Sequence, residues 1–148
     1  MDPVVRVAAT ADHDELARLQ QIARDAIRDV RGGALRLAEC PVVDDWAALV
    51  DAPDSVVFIA TIDDIPVGYL VLQLSSARDR GVITHAFVEE GARELGFGDT
   101  MIEHAVAACR EHGLHGIESI ALPGDRETKN LFERAGITAR KIVVYKAL

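Results

Sequence analysis

The sequence predicts an α/β (α+β) domain in which helices flank one mixed, mostly antiparallel sheet. Three observations point to this class. Apolar residues recur at helical spacing between 16 and 30, two β-rich runs flank the short connection 63–66, and a later strand is followed by a glycine loop and a long amphipathic segment. With the remaining elements, the predicted order is β-α-(α)-β-β-β-α-β-α-β.

The individual elements follow from local signals. Asp12 and Glu15 have the spacing of a capping box, which predicts the start of the first helix, and Gly32-Gly33 stops it. The next stretch looks less regular, and a short helix is expected at 44–50. The strands are predicted at 4–9, 56–62, 67–74, 82–88, 117–122 and 141–146, and the later helices at 98–112 and 126–135.

Composition excludes several classes of protein. With 148 residues, 49% hydrophobic and 27% charged, the chain is expected to form one globular domain over 1–148. The net charge of -8 and the lack of a basic stripe argue against nucleic-acid binding. No apolar run approaches the ~20 residues of a membrane span, so no membrane partner is expected.

The expected compartment is the cytoplasm. The residues 1–4 lack the charged and apolar regions of a signal peptide. The two cysteines, Cys40 and Cys109, do not form a disulfide framework, which favours a reducing environment. His112 and His115 could suggest a metal ligand pair, but glycines interrupt that stretch and no cysteine or carboxylate cluster accompanies it, so no metal is expected.

The most informative segment is the loop Arg93-Glu94-Leu95-Gly96-Phe97-Gly98, which lies between a strand and a long helix. Glycines allow close backbone approach to a ligand, and the first-turn N–H groups of a helix attract anions, so a diphosphate fits here. A Rossmann fingerprint would need glycine at Met101, and a Walker loop would need Gly-Lys-Ser/Thr; neither is present. A plain strand-to-helix turn is the remaining alternative.

The pattern Arg-x-x-Gly-x-Gly, placed after a strand that ends in Val and before an amphipathic helix, resembles the acyl-CoA loop of the GNAT superfamily. The later segment 121–137, which contains Leu131-Phe132-Glu133-Arg134-Ala135-Gly136-Ile137, is similar to that family's penultimate strand and the end of its following helix. The strand order, the hairpin and the length agree over nearly the whole chain.

This resemblance implies an N-acetyltransferase that moves an acetyl group from acetyl-CoA, its co-substrate, to a primary amine of a small molecule or peptide. It also implies a GNAT-type sheet with a splayed strand pair that admits the acyl-CoA. The amine would attack the thioester directly through a tetrahedral intermediate, with neither cysteine in the cleft. Homodimers are common in the family, often through the last strand or the sheet edge.

Cofactor contacts carry over onto the loop, the strand before it and the later helix. The Val88 N–H would polarise the thioester carbonyl, and the loop amides would hold the diphosphate. The positions assigned to cofactor binding are Phe87, Val88, Arg93, Glu94, Leu95, Gly96, Phe97, Gly98, Asp99, Thr100, Asp125, Asn130 and Phe132.

The sequence departs from the family pattern in several places. Phe132 stands where many members have a tyrosine that acts as general acid, and the glutamate often found on the fourth strand is missing. Asp125 replaces a common asparagine, and Glu94 and Asp99 would weaken diphosphate binding unless they point outward. These departures motivate an alternative function, a catalytically inactive acyl-CoA-binding or protein-interaction module.

Two aromatic side chains are candidates for proton transfer, and a third could shape the acceptor pocket. His85, on the strand that leads into the loop, has the ordinary pKa of a base near neutrality, although a hydrogen-bonded strand histidine is the favoured explanation. Tyr69 could shape the acceptor pocket or be a core tyrosine with a satisfied hydroxyl. Tyr145 is a distant substitute for the missing acid.

Overall fold

The computed structural model describes residues 2–148 and contains one five-stranded sheet with helices on both faces. The strands are β1 Pro3–Val7, β2 Ser55–Ile62, β3 Ile65–Ser75, β4 Arg80–Val88 and β5 Ile117–Ser119. The helices are α1 His13–Ile27, α2 Gly33–Glu39, α3 Trp46–Asp51, α4 Phe97–Glu111 and α5 Arg126–Arg134, with short 3₁₀ helices at Thr10–Asp12 and Glu90–Leu95. The predicted fold class is therefore confirmed.

The sheet follows chain order, β1-β2-β3-β4-β5, and only the β4–β5 pair is parallel. The predicted hairpin joins β2 to β3 through a two-residue turn in which Asp63 and Asp64 have φ of 48° and 66°. Two successive left-handed residues match the right-handed strand twist, and aspartate tolerates that conformation. The turn thereby sets the register between β2 and β3.

Both faces of the sheet are buried because strand side chains alternate between two helical layers. On one face, α4 contributes Met101, Ile102 and Ala105, which pack against Leu70 and Leu72. On the other face, the core consists of apolar residues from α1, α3, β2 and β3: Leu16, Leu19, Trp46, Val57, Ile59, Tyr69 and Val71.

The pairing of β4 changes at a bulge. Ile83 lies opposite Leu72 and His85 lies opposite Val71, so Thr84 is an extra residue in β4. The parallel pairing with β5 covers only Gly81–Ile83 and ends at the same place. From Thr84 to Val88, the edge of β4 that faces away from β3 has no neighbouring strand. This is the splayed strand pair that the family resemblance implies.

Four local predictions were wrong. Asp12 makes no N-cap bond to α1; its carboxylate instead accepts the Ala9 N–H at 2.7 Å and pairs with Arg6 at 2.7 Å. The irregular stretch after Gly32 is helix α2. The strand predicted at 117–122 ends at Ser119, because the chain leaves β4 there.

The fourth error concerns the last predicted strand, 141–146, which belongs to no sheet. Its apolar residues are exposed by 82% at Ile142, 74% at Val143, 91% at Val144 and 69% at Tyr145. The run has strong β propensity, but propensity alone does not form a strand. Within residues 2–148 the outer edge of β5 has no strand beside it, and this run does not pair with it.

Gly81 provides a test of how tightly β4 packs on α4. A Cβ at this position would lie 2.3 Å from Cys109 Sγ and 3.0 Å from Leu72 Cδ1. We expect Gly81→Ala to destabilise the fold by about 1–3 kcal/mol, because overpacking forces buried atoms to shift. Urea denaturation measures this change in the free energy of unfolding.

Gly91→Ala is the matched control, since a Cβ there meets nothing within 4 Å. Its stability should stay within about 0.5 kcal/mol of wild type. Adding Cys109→Ala to Gly81→Ala should recover part of the loss. Equal stability of the Gly81 and Gly91 variants would contradict the packing argument.

Candidate active site

A cavity of about 730 Å³ opens along the unpaired edge of β4. One wall comes from α1 and α2, the opposite wall from α4, α5 and the chain that leaves β5, and β4 lies between them. The β4–β5 pairing ends at the bulge at Thr84, so the outward-facing backbone of 84–88 has no strand partner. The carbonyls of Thr84 and Val88 accept from arginine side chains, and the other outward-facing groups are available for hydrogen bonds to a ligand.

The N-terminus of α4 forms one end of the cavity. Gly96 is the N-cap with φ of 80°, and no side chain caps the helix. The conformation favours glycine, and the first-turn N–H groups are left for a ligand or water. Gly98 and Asp99 line the cavity, as do Arg93 and Glu94 before them. The other predicted loop residues, Leu95, Gly96, Phe97 and Thr100, do not line it.

Two ion pairs offset the charges around this helix end. Asp99 accepts from Arg134 at 3.1 and 3.3 Å, and Arg93 pairs with Glu127 at 2.8 Å. Neutralisation of Asp99 by Arg134 reduces the repulsion that a carboxylate would exert on a diphosphate. Glu94 is exposed and makes no ion pair within residues 2–148.

The Val88 amide faces the cavity. The Glu89 N–H donates to Val67 O at 2.7 Å across the β3 side. Because successive amides of a strand alternate in direction, the Val88 N–H points to the opposite, unpaired edge. The Val88 carbonyl also lies on that edge, where it accepts from Arg93 Nε at 3.1 Å.

His85 lies at the centre of a hydrogen-bonded chain of three side chains. Its Nδ1 is 2.9 Å from Tyr69 Oη, and its Nε2 is 3.8 Å from Cys40 Sγ. Tyr69 is 1% exposed and has no other partner within residues 2–148, so its hydroxyl is assigned as the donor to Nδ1. In this tautomer Nε2 carries the proton and donates towards Cys40.

Burial is the main reason that the pKa of His85 is lowered to about 4, and the positive charges of Arg36 and Arg24 lower it further. The imidazole is therefore neutral near pH 7. Burial also raises the pKa of Tyr69 above its ordinary value. Both rings are thus neutral hydrogen-bonding groups at physiological pH.

The remaining predicted positions occupy different parts of the site. Asp125, Asn130 and Phe132 line the cavity. The Asp125 carboxylate caps α5 by accepting from Thr128 N at 3.2 Å and Thr128 Oγ1 at 2.6 Å. Tyr145 lies in the exposed segment and does not line the cavity.

Sequence reasoning missed three lining residues. Cys40 was expected outside the cleft but lies on its wall, and Arg24 and Arg36 flank it. Arg24 Nη1 donates to Cys40 O at 2.6 Å, and Arg36 Nη2 donates to Thr84 O at 3.0 Å. No local motif marks these positions, because they meet only when α2 packs beside β4.

Within residues 2–148, no three or more His, Cys, Asp or Glu side chains form a cluster that could hold a metal ion. Among the same residues, no helix combines the length and apolarity needed to cross a bilayer.

A sequence model of the acetyltransferase (GNAT) family matches residues 18–137. The chain belongs to the GNAT acetyltransferase family. No match was found among curated proteins. The matched region contains the cavity-lining parts of α1, α2, β4, α4 and α5, so the site described above lies within the family's shared region.

Solved structures share the fold over nearly the full chain. A mutant of the BH1408 protein from Bacillus halodurans is 22% identical with a TM-score of 0.81, covering 98% of this chain and 99% of that one. AAC(6')-Iy in complex with the bisubstrate analogue CoA-S-monomethyl-acetylneamine is 14% identical, with a TM-score of 0.75. The match covers 100% of this chain and 99% of that one. A ribosomal-protein-alanine N-acetyltransferase from Brucella melitensis biovar Abortus 2308 is 16% identical, with a TM-score of 0.71. The match covers 100% of this chain and 99% of that one.

The lowered pKa of His85 predicts an acid-sensitive fold. In the unfolded chain the imidazole is protonated below about pH 6.5, whereas in the folded protein it is protonated only below about pH 4. The free energy of unfolding therefore decreases as the pH is lowered from about 6.5 to about 4. Between pH 7 and 5.5 this costs about 1 kcal/mol. Denaturant titrations at both pH values measure the loss.

His85→Gln should lose that part of the pH dependence, whereas substitution of the exposed His112, the C-cap residue of α4, by Gln should keep it. An unchanged pH profile in the His85 variant would refute the buried neutral imidazole.

Proposed function

We propose that this GNAT protein is an N-acetyltransferase that transfers the acetyl group of acetyl-CoA to a primary amine of a small molecule. The observation that carries the proposal is the unpaired β4 edge, which leads directly to the uncapped N-terminus of α4. A strand edge and a helix end in line suit a ligand that has an amide-containing arm and a diphosphate. Acetyl-CoA has both parts.

In this proposal the pantetheine arm pairs with β4 between Thr84 and Val88. The diphosphate lies at the first turn of α4, beside Gly98 and the neutralised Asp99. The thioester carbonyl then reaches the Val88 N–H, which stabilises negative charge on the oxygen. Arg126, which also lines the cavity, is available for a phosphate.

The reaction is proposed as a direct transfer. The neutral amine nitrogen attacks the thioester carbon, the oxyanion forms at the Val88 N–H, and collapse breaks the C–S bond. The thiolate leaves and is protonated by the amine proton or by solvent, since Phe132 has no proton to give. Positioning of the two substrates supplies much of the rate enhancement.

His85 is a poor general base in this arrangement. Its lowered pKa disfavours uptake of a proton, and its two nitrogens face Tyr69 and Cys40. We propose that it holds the wall of the acceptor pocket in place and that the amine enters deprotonated. The cytoplasmic location, the single domain over 1–148 and the absence of a nucleic-acid partner stay predictions.

Calorimetric titration of acetyl-CoA, with desulfo-CoA and ADP as controls, tests the cofactor site. Micromolar binding is expected, equivalent to about 8 kcal/mol. Gly98→Leu should weaken it by about tenfold or more, because the side chain would enter the proposed diphosphate site and meet Leu131, whose nearest atom is 3.0 Å from a Cβ.

Gly91→Leu, whose Cβ meets nothing within 4 Å, is the matched control and should bind like wild type. No binding at millimolar acetyl-CoA would sink the proposed function.

The alternative is an acyl-CoA-binding module without catalysis. The observation in its favour is Phe132, which is only 4% exposed in the cavity wall and has no proton to give a leaving thiolate. Release of free thiol in the presence of amines separates the two functions, because a binding module holds acetyl-CoA without releasing thiol.

We also propose a homodimer in which each copy supplies the segment 141–146 to the other. Each chain has an exposed apolar run that lacks an edge, and each β5 has an edge that lacks a strand. Two copies can satisfy each other symmetrically by exchanging these segments. Burial of Ile142 and Val144, now 82% and 91% exposed, would favour association.

Light scattering after size exclusion tests the dimer. The full chain is expected at twice its monomer mass of 16.0 kDa, and a variant ending at Arg140 at the mass of one copy. Ile142→Asp together with Val144→Asp should also dissociate the dimer, while Arg140→Asp, just before the run, serves as the control. A full chain that is monomeric at 100 μM would contradict the exchange.

A further inference from the structure

The wall of the cavity formed by α1 and α2 carries two arginine side chains with no acidic partner. Arg24 and Arg36 both line the cavity and are half-buried. Neither takes part in an ion pair within residues 2–148. The other lining arginines differ: Arg93 and Arg134 are paired with carboxylates, and Arg126 is exposed.

Within residues 2–148, the two guanidinium groups donate hydrogen bonds only to main-chain carbonyls. Arg24 donates to Cys40 O at 2.6 Å and Leu37 O at 3.4 Å, and Arg36 donates to Thr84 O at 3.0 Å. A guanidinium has five N–H donors, so donors remain on each group after these bonds. The carbonyl contacts fix the arginines in place without neutralising them.

Acidic side chains of the cavity lie on the other wall. The lining carboxylates are Glu94, Asp99, Asp125 and Glu127, which belong to the loop, α4 and α5. The net charge of the chain is -8, yet the only charged residues that line the α1–α2 wall of the cavity are the two arginines. The positive potential extends to the β4 side of the wall, because both arginines lower the pKa of His85.

Resting on the proposed acetyl transfer, we propose that the acceptor is an amine that also carries a carboxylate, and that Arg24 and Arg36 bind this carboxylate. Arginine forms short, bidentate, charge-assisted hydrogen bonds with carboxylates, and a half-buried cation without a partner gains most from such a ligand. The bound carboxylate would place the amine of an amino acid in the part of the cavity beside β4.

The same wall disfavours polycationic acceptors. An amine-rich ligand would bring several ammonium groups against two uncompensated guanidinium groups, which repel them at short range. AAC(6')-Iy was solved with an acetylneamine analogue of the kind this wall should reject. Shared fold and family therefore do not imply a shared acceptor.

A panel of acceptors tests the proposal at saturating acetyl-CoA, with thiol release as the readout. Each α-, β- and γ-amino acid is paired with its own amide, which keeps the amine and removes the negative charge. We expect kcat/KM for the acids to exceed that for the amides by about 100-fold, because a bound amide would leave both arginines without a negatively charged partner. Aminoalkyl phosphonates form a third arm that separates carboxylate recognition from general anion binding.

Arg24→Gln and Arg36→Gln should each raise KM for the acids by about tenfold or more and leave the acetyl-CoA Kd within about twofold of wild type. Arg24→Lys and Arg36→Lys, which keep the charge, should retain part of the preference and guard against misfolding of the Gln variants. Arg28→Gln is the matched control at the C-terminal end of α1, since Arg28 is exposed and pairs with Asp25 at 2.8 Å.

Equal kcat/KM for acids and amides, or a preference for polyamines, would overturn this inference while leaving acetyl transfer intact. If no panel member turns over, calorimetry of the acetyl-CoA-saturated protein with the same pairs decides the question; equal affinity for acid and amide also overturns it. Faster turnover of the phosphonates than of the acids would replace carboxylate by phosphate-type recognition and count against the proposal. Failure to bind acetyl-CoA is a separate result, which rejects the proposed function instead.

Discussion

The site depends on the end of pairing between β4 and β5. The two strands are parallel neighbours over only three residues of each, and then the extra residue Thr84 shifts the register of β4 against β3. Had the pairing continued to Val88, the backbone of β4 would be satisfied on both sides and no ligand could reach it. The interrupted ladder leaves strand donors and acceptors exposed inside a cavity, where a ligand with amides can satisfy them.

The cavity walls differ in charge because they are built from different parts of the chain. On the α4–α5 wall, arginine and carboxylate side chains pair with each other, as Arg134 does with Asp99. That wall is nearly neutral, and the α4 helix end is its main source of positive potential. On the α1–α2 wall, Arg24 and Arg36 bind carbonyls and keep their charge. The cavity thus has two separate anion-attracting ends, one for each substrate in the proposed reaction.

Much of the fold could be predicted from the sequence because its signals are local. Two continuous β-rich apolar runs and an Asp-Asp turn define the hairpin, and the glycine loop before a helix marks the predicted anion site. The acceptor wall could not be predicted in this way, since Cys40 and His85 come together only through packing of α2 on the sheet. The last predicted strand failed for a different reason: Ile142–Tyr145 has the right local pattern but stays exposed and does not pair with the outer edge of β5 in its own chain.

The positive wall also bears on how an amine could react without a strong base. An ammonium group near uncompensated guanidinium groups loses its proton more readily, because like charges disfavour its charged form. The same two charges add to burial, the main cause, in lowering the pKa of His85. A carboxylate on the same ligand would bind to the arginines and neutralise one of their two positive charges. The positive charge that remains would favour the neutral form of the amine. The arginines would thereby assist loss of the amine proton in a site where β4 carries no glutamate and Phe132 has no proton to give.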